Sequence, residues 1–187
     1  DTPYEYVDPK TKRKWAPKNY DNRFRGPVTF RNSLEDSLNV PTAKLTEKVG
    51  IPAILNTIRD AGVESTLPPY PSVALGSGEV TLIELVNAYG TIANKGIRVK
   101  PYLVSSVIDP DQRIVYESQR KIEEVFNAQE CFQLAHILAG AVQFGTCWRA
   151  RDLNVSIAAK TGTTNDYTNA WFVGFSPEYV TGVWVGY

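Results

Sequence analysis

The chain has 187 residues, of which 43% are hydrophobic and 21% are charged, as expected of one globular domain or most of one. Lys+Arg and Asp+Glu balance at 20 each, so the net charge does not indicate binding to nucleic acid or to an anionic membrane surface. A single histidine, His136, and two isolated cysteines, Cys131 and Cys147, do not form a disulfide scaffold or a metal-ligand spacing, and no cofactor is predicted.

The first part of the chain predicts an extended segment followed by helices. Residues 1–28 are rich in Pro, Tyr, Asn and basic residues without periodicity, which is typical of an extended surface segment. Residues 29–96 are predicted to be mainly helical, beginning with Thr29 as an N-cap. Pro41 disfavours a helix at the preceding residue and suits the first turn of a new one, so Ser37-Leu38-Asn39 is predicted to lie at a helix–helix junction.

Three helices follow this junction. The first of them is expected to stop at Gly50, and the next spans Pro52 to Ala61. After a loop rich in Pro and Gly, Thr81 and Glu84 form a capping-box pattern that begins the third. Its buried side is predicted to carry five apolar residues: Leu82, Leu85, Val86, Tyr89 and Ile92.

The second half predicts strands on either side of one long helix. Within residues 97–126, Asp109-Pro110-Asp111 predicts a turn between strands Ile97 to Ile108 and Arg113 to Tyr116. Asn127 is the predicted N-cap of a helix in residues 127–145. Residues 155–187 predict three strands, which begin at Val155, Asn169 and Val180 and whose short connections favour antiparallel pairing. Helices packed on an antiparallel sheet make an α+β fold.

Lys160-Thr161-Gly162-Thr163 ends the first of these strands with a group of side chains suited to an anion. An ammonium beside two threonine hydroxyls can receive a carboxylate, and Gly162 lets a substrate backbone approach without a Cβ in the way. The N–H of Thr163 could stabilise an oxyanion if it faces a cleft. The alternative is an ordinary strand end with a solubilising lysine and a turn glycine. Ser37-x-Asn39 is weak evidence for a site by itself, because such a triplet is expected in roughly every second chain of this size.

Three stretches in the right order resemble the transpeptidase domain of class A, bifunctional penicillin-binding proteins. They are RGPVTFRNSLEDSLNVPTAKL, VALGSGEVTLIELVNAYGTIANKGIRVKPYLV and IAAKTGTTNDYTNAWFVGFSPEYVTGVWVGY. The first and last carry Ser-x-Asn and Lys-Thr-Gly, two of the three motifs of that family and of class A β-lactamases. The resemblance covers residues 1–187 and implies a fold like that of serine β-lactamases and D,D-transpeptidases, incomplete at both ends.

The resemblance implies a serine D,D-transpeptidase that cross-links peptidoglycan stem peptides and is acylated by β-lactams. Ser37 would relay a proton near the leaving group, and Asn39 would bond the peptide backbone of the substrate. Lys160 would supply positive charge, and the Thr163 N–H would be one donor of the oxyanion hole. The remaining substrate-binding residues implied are Thr161, which with Thr163 would hold the carboxylate, and Gly162 and Thr164.

The nucleophile of this family lies in a Ser-x-x-Lys motif, where a lysine one helical turn away can deprotonate the serine. The chain has one match, Ser118-Gln119-Arg120-Lys121, but it follows Ser37 and lies in a polar stretch after a predicted strand. We therefore do not assign Ser118 as the nucleophile. The resemblance places the true motif upstream of residue 1, so the 187-residue chain alone is expected to be inactive.

The resemblance also implies partners for the chain. Val180 to Tyr187 would pair with an N-terminal strand of the same domain, so we expect this apolar edge to be covered by that part or by another chain. A glycosyltransferase domain and a membrane anchor outside these residues are implied, with the site on the periplasmic or extracellular face of the bacterial inner membrane.

Two other functions compete with the transpeptidase. One is a non-catalytic module that binds β-lactams or peptidoglycan. The other is a class A β-lactamase, which is disfavoured because the second motif is Ser37-Leu38-Asn39 rather than Ser-Asp-Asn. An upstream Ser-x-x-Lys would separate an enzyme from a binding module.

Overall fold

The computed structural model describes residues 1–164 and 166–187. In the first 28 residues the only regular structure is a short hairpin, in which β1 (Tyr6–Val7) pairs with β2 (Lys14–Trp15). Five α-helices of the described residues follow: α1 (Phe30–Glu35), α2 (Asn39–Val49), α3 (Ile51–Asp60), α4 (Leu82–Ala93) and α5 (Ala128–Gln143). In the part of the chain that is described, none of the helices has the length and hydropathy needed to span a bilayer.

The remaining strands all pair antiparallel. Two small sheets join β3 (Ile97–Val99) to β6 (Ile122–Glu124) and β4 (Ser106–Ile108) to β5 (Ile114–Glu117). The main sheet has the order β7-β8-β9, formed by β7 (Ala158–Thr163), β8 (Asn169–Phe175) and β9 (Val180–Gly186). Two 3-10 helices, Pro71–Leu75 and Trp148–Leu153, lie where the sequence predicted no helix. The predicted α+β fold is confirmed.

The predicted helix caps are also confirmed. The side chain of Thr29 accepts a hydrogen bond from the N–H of Asn32, and the side chain of Asn127 accepts from two N–H groups in the first turn of α5. Thr81 and Glu84 form a complete capping box at the start of α4. Each cap pairs N–H groups that the helix leaves without partners, so these helix starts are decided by a few neighbouring residues.

Helices α4 and α5 pack on one face of the main sheet. Leu138 of α5, Ala158 of β7 and Phe175 of β8 form the centre of this buried layer. α4 approaches β9 at Gly182, where an added Cβ would overlap the side chain of Val86. The layer therefore fixes β7, which carries the Lys-Thr-Gly motif, against α5.

Three details of the prediction are wrong. Ile97 to Ile108 is not one strand, because Pro101 has no N–H to donate and the strand is interrupted there. Instead, β3 pairs with β6, and only β4 reaches the predicted turn. Leu82 is 41% exposed, because it is the first residue of α4 and lies against β9 on one side only. β7 begins at Ala158 rather than at Val155, whose side chain is exposed.

β9 lies at an edge of the main sheet. Among the described residues it pairs only with β8, and Val185 and Tyr187 are 68% and 96% exposed. The predicted open edge is present. What covers it stays a prediction.

Glu84 connects the start of α4 to the loop that precedes it. Its carboxylate accepts hydrogen bonds from the Ser65 hydroxyl and from the N–H groups of Glu64, Ser65 and Thr81. These bonds, with that of Ser65 the largest, lower the pKa of Glu84 to about 2. Because the pKa is lower in the folded protein, this stabilisation is present above the ordinary value of 4.5 and is lost as the pH falls toward 2.

We predict that Glu84→Gln lowers the free energy of unfolding at neutral pH by about 1 kcal/mol, since the side chain is partly solvated and the amide keeps only part of the bonds. The variant should also lose this part of the acid sensitivity. Urea unfolding at neutral and acidic pH measures both effects. Glu79→Gln, at an exposed position in the preceding loop, is the matched control. Equal acid sensitivity of the wild type and Glu84→Gln would contradict the prediction.

Candidate active site

Ser37 lies in a left-handed turn at the end of α1, with φ 55°. The N–H of Ser37 donates to the carbonyl of Leu34 at 3.2 Å, and the N–H of Leu38 donates to the carbonyl of Ser33 at 2.8 Å. This is the Schellman pattern, in which the left-handed position is usually glycine. A side chain there costs roughly 1 kcal/mol. The strain is compatible with a position selected for its hydroxyl.

α1 is held against α5 by a close approach at Gly140. An added Cβ at Gly140 would overlap the carboxylate of Glu35, which is buried and pairs with Arg31 at 3.2 Å. The carbonyl of Glu35 also accepts a hydrogen bond of 3.2 Å from the N–H of Thr146, just after α5. The turn that carries Ser37 is therefore fixed to the loop that carries Thr146.

Lys160 reaches across the cleft to Ser37. Its Nζ donates to Ser37 Oγ at 2.6 Å and to the carbonyl of Thr161 at 2.8 Å. Burial lowers the pKa of Lys160, and the nearby Cys147 acts in the opposite direction. None of the ion pairs among the described residues includes Lys160. The ammonium is thus held by the neutral oxygens of Ser37 and Thr161.

The outer edge of β7 presents backbone groups to the same cleft. The N–H of Thr164 donates to the carbonyl of Asn169 on β8 at 3.1 Å. Because inter-strand bonds alternate along an antiparallel pair, the N–H and C=O of Thr161 and Thr163 face away from β8. Among the described residues this side of β7 has no partner strand. The Thr163 N–H is therefore turned away from β8, and its role as an oxyanion donor stays a prediction.

Thr146 is a site residue that the sequence prediction did not include. The hydroxyl of Thr161 donates to the hydroxyl of Thr146 at 3.0 Å, which places both beside the Lys160–Ser37 contact. The signal for Thr146 was weak: a Gly-Thr pair immediately after α5. Two adjacent hydroxyls near an ammonium form a good receptor for a carboxylate.

Asn39, Gly162 and Thr164 make no side-chain hydrogen bond to Ser37 or Lys160 among the described residues. The Nδ2 of Asn39 donates to the carbonyl of Lys18 at 2.8 Å, so its amide is oriented by the extended N-terminal segment. Thr164 accepts from the N–H of Asn169 and belongs to the turn after β7. Gly162 lies on β7 opposite Trp171. The chemical roles of all seven predicted residues stay predictions: Ser37, Asn39, Lys160, Thr161, Gly162, Thr163 and Thr164.

The rejected Ser-x-x-Lys match differs from the family motif, because it follows Ser37 in the chain and does not lie on a helix. Ser118 follows β5, and residues 118–121 are not helical, so Lys121 is not placed one helical turn from it. Within residues 1–164 and 166–187, no group of three or more His, Cys, Asp or Glu is arranged to hold a metal ion. Cys131 and Cys147 are buried free thiols.

Comparison with known families identifies the family of the chain. The family model for the penicillin binding protein transpeptidase domain matches residues 1–187. The chain belongs to this transpeptidase domain family. The resemblance inferred from the sequence is confirmed.

The relatives of this transpeptidase domain include penicillin-binding proteins 1A. The chain is 42% identical over 182 residues to penicillin-binding protein 1A of Aquifex aeolicus, and the match covers 97% of the chain and 25% of the relative. It is 34% identical over 210 residues to that of Rickettsia bellii, covering all of the chain and 26% of the relative. The chain therefore spans about a quarter of the length of these curated relatives.

Solved structures share the fold of the domain. Penicillin-binding protein 1A from Haemophilus influenzae matches with a TM-score of 0.92 and 24% identity, over 100% of the chain and 34% of the solved chain. Penicillin-binding protein A from Mycobacterium tuberculosis, an imipenem acyl-enzyme complex, matches with a TM-score of 0.78 and 23% identity, over 95% of the chain and 47% of its own.

The strain at Ser37 gives a direct test of the turn. Ser37→Gly and Ser37→Ala both remove the hydroxyl, but only glycine adopts the left-handed conformation without cost. We predict that Ser37→Gly is more stable to unfolding than Ser37→Ala by about 1 kcal/mol. Urea unfolding of the two variants measures the difference. Equal stability would show that the turn relaxes when the hydroxyl is removed.

Proposed function

We propose that the chain supplies one part of a peptidoglycan D,D-transpeptidase site that works through a serine acyl-enzyme. The observation that carries the proposal is the 2.6 Å hydrogen bond between Lys160 Nζ and Ser37 Oγ, made by two of the family's three motifs. The nucleophilic serine would come from a Ser-x-x-Lys motif outside residues 1–187, since Ser118 does not meet the geometry.

The chemistry of acyl transfer assigns a task to each group. The nucleophilic hydroxyl attacks the carbonyl of a donor peptide, and the Thr163 N–H stabilises the oxyanion that forms. When the tetrahedral intermediate collapses, the C–N bond breaks and the leaving amine takes a proton. Ser37 Oγ delivers this proton and recovers, through Lys160, the proton that the nucleophilic hydroxyl gave up to the lysine of its own motif. An acceptor amine then attacks the acyl-enzyme, the ester C–O bond breaks, and the serine takes back the proton that the amine loses.

Substrate binding follows from the two walls of the cleft. Thr161 and Thr163, with Thr146 beside them, would hold the terminal carboxylate of the donor. Asn39 would bond the peptide backbone on the opposite wall. A β-lactam carries a carboxylate and an acyl group in similar positions, so it would acylate the same serine. The imipenem acyl-enzyme of the fold relative from Mycobacterium tuberculosis supports this part of the proposal.

We also propose, from the family, what lies outside these residues. The relatives are penicillin-binding proteins 1A about four times as long as the chain, which supports a glycosyltransferase domain and a membrane anchor elsewhere, with the site on the periplasmic face. We propose that the rest of the domain covers the apolar edge of β9. No observation favours the non-catalytic module or the β-lactamase over the transpeptidase.

Removal of either partner of the Lys160–Ser37 contact should slow acylation. We predict that Ser37→Ala or Lys160→Ala, in the full-length protein, lowers the rate of fluorescent-penicillin labelling by about 10²- to 10⁴-fold, as is typical for loss of acid–base assistance. Ser118→Ala and Lys121→Ala are matched controls and should label at the wild-type rate. The isolated 187-residue chain should not label at all. Labelling of the chain alone, located by mass spectrometry at any serine, would contradict the split of the site.

The lowered pKa of Lys160 predicts the pH dependence of the reaction. Rising pH converts the ammonium to the amine, and it does so below 10.5, the ordinary value for lysine. We predict that the acylation rate falls on the alkaline side as Lys160 loses its proton. Lys160→Arg keeps its charge throughout, so its lower rate should lack this alkaline decrease. Acylation rates measured across the alkaline range for both proteins test this. The same decrease in Lys160→Arg would assign it to another group.

A further inference from the structure

Two exposed tyrosines from distant parts of the chain contact each other. The hydroxyl of Tyr167 donates to the hydroxyl of Tyr20 at 3.1 Å, and the rings meet edge to face with centroids 6.4 Å apart. Tyr20 is 78% exposed and Tyr167 is 66% exposed. Core packing therefore does not force this contact.

Tyr20 is attached to the wall that carries Ser37 and Asn39. The preceding residue, Asn19, is buried, and its Oδ1 accepts from the N–H of Val40 at the start of α2. Lys18 accepts the hydrogen bond of the Asn39 side chain. Tyr20 is thus held in place by two contacts immediately before it in the chain.

Tyr167 is attached to the opposite wall, in the turn that follows β7. Its N–H donates to the carbonyl of Thr164 at 3.0 Å, and its backbone adopts a left-handed conformation with φ 60°. Thr164 in turn accepts from the N–H of Asn169 at the start of β8. The bond to Tyr20 raises the pKa of Tyr167, as expected of a donor phenol.

Both walls run from the Lys160–Ser37 contact to this pair. On one wall, Ser37 is followed by Asn39, which touches the segment that ends in Tyr20. On the other, Lys160 is followed along β7 by Thr163 and then by the turn with Tyr167. A peptide whose carboxylate lies at Thr161 and whose backbone lies between Asn39 and Thr163 would continue toward the two tyrosines.

We propose that the Tyr20–Tyr167 bridge, the hydrogen bond between the two phenols, is a specificity element. The donor peptide must separate the two side chains in order to bind. The inference rests on the proposed transpeptidase function. The ligand is the extended peptide on the acyl side of the scissile bond. When its chain passes between the rings, the hydroxyl–hydroxyl bond breaks and the two phenol faces flank the peptide. A short acyl donor stops before the bridge and leaves it intact.

The two hydroxyls form one bond, so removing either should have the same effect. We predict that Tyr20→Phe, Tyr167→Phe and the double variant each raise the acylation rate of a long donor about fivefold, the factor that corresponds to one typical net hydrogen bond. The double variant should add nothing to the single ones, because each change breaks the same bond. Tyr179→Phe, at an exposed tyrosine in the turn between β8 and β9, is the control.

The experiment uses the full-length protein and two synthetic thioester donors with the same leaving group. One donor has a single acyl residue, and the other has a three-residue peptide in its place. The expected result is a faster reaction with the long donor only, equal in the three bridge variants and absent in Tyr179→Phe. Equal changes for both donors, no change, or additive effects of the two substitutions would overturn the bridge proposal while the wild type still reacts. A wild-type protein inert to both donors and to penicillin would overturn the proposed function, and the bridge with it.

Discussion

The hydrogen bond between Lys160 and Ser37 is the contact on which the rest of the site depends. The two residues are 123 positions apart, so their 2.6 Å separation requires α1, α5 and β7 to be fixed relative to one another. Each junction has a physical basis. A Schellman turn orients Ser37, the absence of a side chain at Gly140 lets α1 approach α5, and a buried apolar layer holds β7 against α5. A change at any of these junctions would move an atom of the site although it lies outside the cleft.

The same contact joins two energetically unfavourable features. Ser37 has a backbone conformation that favours glycine, and Lys160 is largely removed from water while none of the ion pairs among the described residues includes it. A carboxylate partner would stabilise the ammonium and raise the pKa of Lys160, which would slow the return of a proton to Ser37. The neutral oxygens of Ser37 and Thr161 orient the ammonium without that effect. Stability lost at the site is offset by packing elsewhere, a pattern expected of functional positions.

The sequence predicted the features that local chemistry decides. Thr29, Asn127 and the Thr81–Glu84 pair begin their helices as expected, because a cap and its N–H partners are a few residues apart. The α+β fold followed from the order of the elements. Some contacts between distant segments were not predicted, namely the bond of Thr146 to Thr161 and the pair of tyrosines, since no local pattern encodes them. The prediction of one strand across Pro101 was wrong for a local reason. The missing N–H of proline ends one strand, so the segments on either side of it pair with different strands.

The two edges of the main sheet differ in chemistry, and the difference agrees with their proposed uses. The edge at β7 carries Lys160, two threonines and a glycine, which can receive a peptide backbone and a carboxylate while remaining hydrated between turnovers. The edge at β9 carries Val183, Trp184 and Val185, which gain most from permanent burial. A polar edge suits a ligand that must leave, and an apolar edge suits a strand that stays. We therefore expect the sheet to be extended by protein at β9 and to be extended only by substrate at β7.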